Sequence, residues 1–269
     1  MTNVIAGTGR STLGFVREVG RMSRFAVDIF YWGFTSLPPR RVLFPILYEV
    51  GVKSLPVVLA TGAFVGMVIA VQMFTQLHRL GAQNAAGAII NISMVKELGP
   101  VLAAVILAGR VGGAMAAELG TMRVTEQIDA LTAMGANPMR YLVLPRFIAM
   151  LFLTPVLTIF SDVIGVLGGW LVSTQALGID SFFYWDNSQA FLKPWDIWVG
   201  IIKSFFFGGF IGLISCYKGF NSEPGASGVG RATTMAFVAS FITILVSNFF
   251  LAVLMRHIYN LFISPVAAG

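Results

Sequence analysis

The run Lys96-Glu97-Leu98-Gly99-Pro100 sets two opposite charges side by side in a mostly apolar stretch, residues 88–118, whose other charges are Arg110 and Glu118. A charge at the centre of a bilayer costs roughly 2.5–3.5 kcal/mol on insertion scales, so such residues turn toward protein or water. Successive helical residues point about 100° apart, so Lys96 and Glu97 do not neutralise each other. Pro100 lacks an N–H and leaves the Lys96 carbonyl without its helical partner, while Gly99 loosens the same turn. The pattern predicts a kink that presents polar groups to the outer half of the membrane. There they line a substrate path or its gate, or pair with another span. Glu97 and Glu118 are twenty-one residues apart, roughly 31 Å of helix and close to one hydrocarbon thickness. Glu97 is therefore expected near the outer interface and Glu118 near the inner one.

Gln72 and Gln76 share a helix face with Ile69, Met73 and Leu80. A mixed face of this kind suits an amphipathic ligand, and equally suits hydrogen bonds between helices. Arg110, Asp162 and Lys203 are further ionisable residues within apolar stretches; Lys203, near a span end, is expected to snorkel or pair. The segment Arg123–Gly135 reads as a short helix, about 123–134, between two spans. Thr125 is the expected cap, with Glu126 in the favourable first turn. Ile128, Leu131 and Met134 make an apolar edge, while Glu126, Gln127 and Asp129 stay polar. Such a helix suits docking on a soluble partner, or is simply solvated. No phosphate loop, H-E-x-x-H or G-x-S-x-G occurs, so no catalytic residue is assigned and transport energy must come from a partner or an ion gradient. Cys216 is the single cysteine, which excludes an internal disulfide and makes a cysteine-based metal site implausible. His78 and His257 read as polar residues near span ends, and no metal ligand set is expected.

The elements that carry these residues follow from composition. The chain has 269 residues, 57% hydrophobic and 11% charged, against roughly 25% charged in soluble domains. Such a chain must use the bilayer as solvent, and helices satisfy its backbone there. The reading is a single all-α membrane domain over 1–269, with five spans at about 54–77, 88–118, 147–175, 197–217 and 232–255. Ahead of them, Arg10, Arg17, Arg21, Arg24 and Asp28 form one stripe of a helix over about 10–33. Leu13, Val16, Val19, Met22, Ile29 and Phe30 fall largely on the other side, as suits a helix lying in the membrane interface. The same arginines interrupt any apolar core, so a cleaved signal peptide is not expected. Twelve of the eighteen Lys and Arg fall on the side of the N-terminus, and Arg79, Lys193 and Arg256 on the other. The positive-inside rule then puts the N-terminus in the cytoplasm and the C-terminus outside. This distribution accounts for the net charge of +6 without nucleic acid as a partner. Glycines four apart, as at Gly62/Gly66, Gly109/Gly113, Gly165/Gly169 and Gly208/Gly212, point to close helix packing first and to a dimer interface second.

Lys96-Glu-Leu-Gly-Pro100, Ala108-Gly-Arg-Val-Gly112, Ala117-Glu-Leu-Gly120 and Thr121-Met-Arg-Val-Thr-Glu-Gln-Ile-Asp129 resemble the MlaE/YrbE permease family. Arg231-Ala-Thr-Thr234 also fits, and the resemblance covers nearly the whole chain. It implies an interfacial helix plus five spans in a homodimer within a bacterial inner membrane. It further implies two cytoplasmic ABC ATPase subunits that bind ATP and Mg, none being bound by this chain, and a periplasmic hexamer of MCE-domain proteins. The implied cargo is glycerophospholipid moving between inner and outer membranes, which maintains outer-membrane lipid asymmetry. The resemblance makes 123–134 the coupling helix, with Arg123, Glu126, Gln127, Asp129 and Leu131 facing the ATPase. It points to Ile69, Gln76, Leu77, Leu80 and Glu97 along the lipid path, to which the residue reading adds Gln72, Met73 and Lys96. Gln76 departs from the aliphatic residue often found there. Two other classes stand beside this one. An ion-coupled carrier would use Glu97, Asp162 and Lys203 as a relay, although five spans without an evident internal repeat argue against it. A noncatalytic membrane scaffold would tolerate loss of Glu97 with effects on stability alone.

Overall fold

The computed structural model describes residues 2–35 and 38–263. Among the described residues every regular element is a helix. Helix α1 (Thr2–Thr35) and α2 (Arg40–Gly51) precede the first span, α3 (Leu55–His78). The second span is one continuous rod of α4 (Ala86–Ser93), α5 (Gly99–Leu107) and α6 (Gly113–Val124), joined by two π-helical turns at Met94–Leu98 and Ala108–Gly112. A short α7 (Gln127–Ala133) leads to a third π turn, Met139–Val143, and the third span, α8 (Leu144–Gln175). An outer helix α9 (Ser181–Phe191) links it to α10 (Pro194–Phe220) and α11 (Ala226–Ile258), the fourth and fifth spans. Five helices are thus long and apolar enough to cross a membrane, and the chain is an all-α multi-pass membrane protein. Helix α3 matches its apolar stretch to within one residue, and the other four run a few residues past theirs at one or both ends, because polar helix ends continue past the hydrocarbon.

The interior is held by shape rather than by apolarity, since lipid tails are as apolar as leucine. The tightest seam joins α3 to α8. A Cβ on Gly66 would overlap the carbonyl oxygen of Gly165, and one on Gly62 would lie 2.7 Å from that of Ser161. Gly208 sits against the Met150 carbonyl in the same way, joining α10 to α8. The glycine pairs therefore serve packing within the chain. Gly66→Val inserts bulk where only backbone can yield, and overpacking costs about 1–3 kcal/mol even where side chains can adjust. It is expected to lower the melting temperature of the detergent-solubilised protein by several degrees, read by intrinsic fluorescence. Gly20→Val, at a site in α1 with nothing within 4 Å of its Cβ, is the control. Equal melting of both variants would contradict the seam.

Among the described side chains of α1, those that dock on the bundle lie in its second half. Phe25 and Ile29 are buried against Val143, Phe147, Tyr217 and their neighbours, with the Phe25 and Tyr217 rings edge-to-face at 5.6 Å. Leu13, Val16 and Val19 stay exposed, as expected of a helix whose first half lies in lipid headgroups. The side chain of Arg10 lies outside the described residues. One ion pair pins the helix: Glu18 accepts from Lys218 of α10 at 2.7 Å and from Arg21 at 2.8 Å. The Lys218 hydrogen bond, ahead of the nearby charges, holds the Glu18 carboxyl below the usual carboxylate range. Its contribution is therefore complete above the undocked value, about 4.3 for a free glutamate, and is lost as pH falls through the lower docked value. Acidification below about pH 4 should expose the segment before α2 to an acid-active protease. Glu18→Gln should show that exposure already at pH 7, with no further rise on acidification. Equal protection of both proteins at both pH values would rule out the pin.

Candidate functional site

The first π turn of the second span forms where Pro100 forbids regular α bonding. The Gly99 N–H donates to the Met94 carbonyl, five residues back instead of four. The carbonyl of Lys96, expected to lack a helical partner, accepts a hydrogen bond from Lys203 of α10 at 3.3 Å. Lys203 is fully buried and paired, so of the two roles expected of it, snorkelling or pairing, it takes the second. The wide turn brings a carboxylate to it: Glu97 Oε1 accepts from Lys203 at 2.6 Å, and Glu97 Oε2 accepts from Asn248 of α11 at 3.2 Å. Lys96 points elsewhere and pairs with Asp196 at 2.9 Å. The other oxygen of Asp196 accepts from the Lys193 backbone N–H at 3.2 Å, capping α10. Each of the two adjacent charges thus has its own opposite, and the bulge ties spans two, four and five together.

This cluster forms one wall of a cavity of about 610 Å³. Ile92, Val199, Ala252 and Met255 supply its apolar lining, and Trp195 and Tyr259 sit near its outer rim. Two more cations reach it, Lys193 and Arg256. The Lys193 ammonium donates to the Tyr259 hydroxyl at 2.9 Å, and that hydrogen bond pushes the Lys193 pKa up from its ordinary value. An apolar chamber with a cationic, aromatic rim suits a molecule that has an anionic head and apolar tails.

The face of α3 named from the sequence is not part of this wall. Ile69 is buried beside Ile90, Met94 and Tyr184, with Met73 and Leu77 packed on the same cluster. Gln72, Gln76 and Leu80 are exposed, and none of these α3 residues lines the cavity of a single chain. Asp162 also stands outside the cluster. It lies on Gly99 at the back of the bulge, where a Cβ would overlap its Oδ1, and that oxygen has no hydrogen-bond partner among the described residues. The relay of Glu97, Asp162 and Lys203 is therefore joined only between Glu97 and Lys203. Neither Asn248 nor Asp196 stands out in the sequence as a site residue. Their signals were a lone asparagine in a charge-free span, and an acid three residues after Lys193 at a Pro-marked helix start.

On the cytoplasmic side, α6 ends at Val124 and the chain turns at Glu126, which is left-handed with φ 60°. This corrects the expected cap. Thr125 donates its hydroxyl back to the Thr121 carbonyl at 2.8 Å, and α7 starts only at Gln127. Arg123, from the last turn of α6, bonds Asp129 in α7 at 2.6 Å and fixes the angle between the two helices. Ile128 is buried and Leu131 half-buried, while Glu126, Gln127, Asp129 and Met134 are exposed. The apolar edge thus faces partly inward, and the acidic edge is free for a partner.

Comparison with known proteins gives these sites a context. The family model described as Permease MlaE matches residues 43–254. A probable ABC transporter permease protein of Rickettsia felis is 42% identical over 254 residues, covering 93% of this chain and 96% of its own length. The intermembrane phospholipid transport system permease protein MlaE of Haemophilus influenzae is 34% identical over 260 residues, covering 95% and 98%. The chloroplastic protein TRIGALACTOSYLDIACYLGLYCEROL 1 of Arabidopsis thaliana is 41% identical over 206 residues, covering 77% of this chain and 59% of its own length.

Proposed function

The chain belongs to the MlaE permease family, and on that premise we propose that it is the membrane-spanning permease of an ATP-driven transporter that moves glycerophospholipid between the inner and outer membranes and so maintains outer-membrane lipid asymmetry. The observation that carries this reading is the cavity at the Lys96–Glu97 bulge. It offers apolar walls for acyl chains, and Lys193 and Arg256 for a phosphate. The name of the Haemophilus relative, an intermembrane phospholipid permease, supports the cargo. The name of the Rickettsia relative, an ABC transporter permease, supports the energy source.

In this reading the chain does no chemistry of its own. Two copies sit in a bacterial inner membrane with the N-terminus cytoplasmic and the C-terminus periplasmic. Two ATPase subunits, which carry ATP and Mg, seat on α7 and the turn before it through Arg123, Glu126, Gln127, Asp129 and Leu131. A hexamer of MCE-domain proteins receives or delivers lipid at the outer mouth. The α3 face of Ile69, Gln72, Met73, Gln76, Leu77 and Leu80 belongs to the lipid path of the assembled dimer. Purification from native membranes in mild detergent, with mass spectrometry of proteins and lipids, tests the whole assembly. Joint recovery of an ATPase, an MCE-domain protein and phospholipid is expected. A chain recovered alone after crosslinking would overturn the reading in favour of an ion-coupled carrier or a scaffold.

A further inference from the structure

The second π turn of span two, Ala108–Gly112, holds the remaining intramembrane cation of that helix. Gly112 lies so close to α10 that a Cβ would come 2.7 Å from the Ser215 hydroxyl. Arg110, two residues away and so roughly on the opposite side of the helix, is directed toward α2. Its guanidinium donates to the hydroxyl of Ser54, which is buried at the start of α3. Arg110 also lines a cavity of about 110 Å³ between α2, α6 and α8, several times the roughly 30 Å³ that one water occupies. Ile46, Val50, Met115 and Ala114 give this cavity an apolar flank.

Two cations, Arg110 and Arg146, and two acids, Glu49 and Glu118, line it. Glu118 is bound by Arg146 at 2.9 Å, and Glu49 by Lys53 at 2.9 Å. Both acids of the cavity are thus neutralised by other cations. Arg110 meets no carboxylate within ion-pair distance among the described residues, and a neutral hydroxyl satisfies only one of its five N–H donors. Ser54 and Glu118 both belong near the cytoplasmic interface, which is the depth of lipid phosphates. A cation at that depth holds a phosphate through charge-assisted hydrogen bonds, whichever basic side chain carries it.

From this we infer that the Arg110 cavity is a second lipid site, separate from the outer chamber, which holds the phosphodiester of a cytoplasmic-leaflet phospholipid. The site needs neither ATPase nor transport, so its failure would leave the proposed function standing, and the reverse holds too. The full chain is placed in nanodiscs of phosphatidylglycerol mixed with an uncharged galactolipid, with a photoreactive benzoylphenylalanine at Ile46. Lipid adducts are then counted by mass spectrometry. Phosphatidylglycerol adducts are expected to be enriched at least threefold over the bulk ratio. Arg110→Gln should return them to that ratio. Arg110→Lys and Ser54→Ala, which keep the charge, should retain the enrichment. Bulk-ratio adducts in wild type, unchanged enrichment in Arg110→Gln, or its loss in Arg110→Lys would overturn the site. So would loss of enrichment on adding millimolar inorganic phosphate, which would identify a soluble anion as the occupant instead.

Discussion

Glu97→Gln is expected to reduce phospholipid transfer by tenfold or more in a reconstituted assembly, while the protein still elutes as a folded complex with its ATPase. The amide keeps the shape of the carboxylate, so its oxygen can still accept from Lys203. It removes the only carboxylate that is set against that buried ammonium among the described residues. Truncating one partner of a buried pair costs about 3–5 kcal/mol, because the other charge is stranded. The amide leaves a smaller penalty, and it falls on the outer wall of the lipid chamber. A tenfold loss corresponds to about 1.4 kcal/mol, well within that range. The double variant Glu97→Leu with Lys203→Met separates a structural role from a transport role. It removes both charges, so no ammonium is stranded and folding should recover. Transfer should stay low, because the chamber then lacks the pair that ties its walls together. Restored transfer in the double variant would show that the pair is structural alone, and normal transfer in Glu97→Gln would refute its part in the path.

The second large effect is expected on the cytoplasmic side. Glu126→Arg with Asp129→Arg should cut co-purification of the ATPase at least tenfold, with thermal stability of the isolated membrane chain nearly unchanged. Both side chains are exposed, and the Arg123–Asp129 pair has its two members 41% and 60% exposed, so its loss costs little stability. Reversal of two charges at an interface acts through repulsion and desolvation, which reach several kcal/mol. The left-handed backbone at residue 126 calls for a control. Glu126→Gly relieves the strain of a non-glycine residue there and removes one carboxylate without adding a positive charge. It should lose far less ATPase than the double variant. Equal loss would mean that the geometry of the turn matters and its charge does not. Undiminished co-purification of the double variant would reject α7 as the docking surface.

The fold was legible because its signals are additive over many residues. Two spans carry twenty-four residues without a charge, and polar breaks separate all five. The bulge at Lys96 was legible from Pro100 alone, since a missing N–H must free a carbonyl somewhere. Which group would take that carbonyl was not. Lys203 and Asn248 lie 107 and 151 residues from their partners in the bulge, and no periodicity within a span encodes which faces of two helices meet. The same limit explains the α3 face. Ile69 and Met73 pack in one cluster while Gln76 is exposed, and the burial of Ile69 against α4 depends on where α9 closes over the outer end. That closure rests on Tyr184, Asn91 and Ser188, which bond one another at 2.9 and 2.8 Å and drew no notice as separate polar residues. At Glu126 the competing principle was local. Thr125 had a choice between capping the next helix and bonding back into its own, and the second needs no change of backbone.

The two wide turns of span two have a consequence for counting. Each closes its hydrogen bonds across five residues where an α turn uses four, so each holds one residue that the rod does not need in order to remain a helix. Removing a residue between Met94 and Leu98 would take out that extra residue and keep the segments on both sides in phase with their neighbours, while Pro100 still withholds its N–H from the turn. The rod would be one residue shorter and otherwise intact, but Lys96 and Glu97 would no longer share the offset that aims one at Asp196 and the other at Lys203. The direction of these two charges is therefore stored in the length of the chain as well as in its composition, and a gap of a single position can erase it while every charged residue is still present.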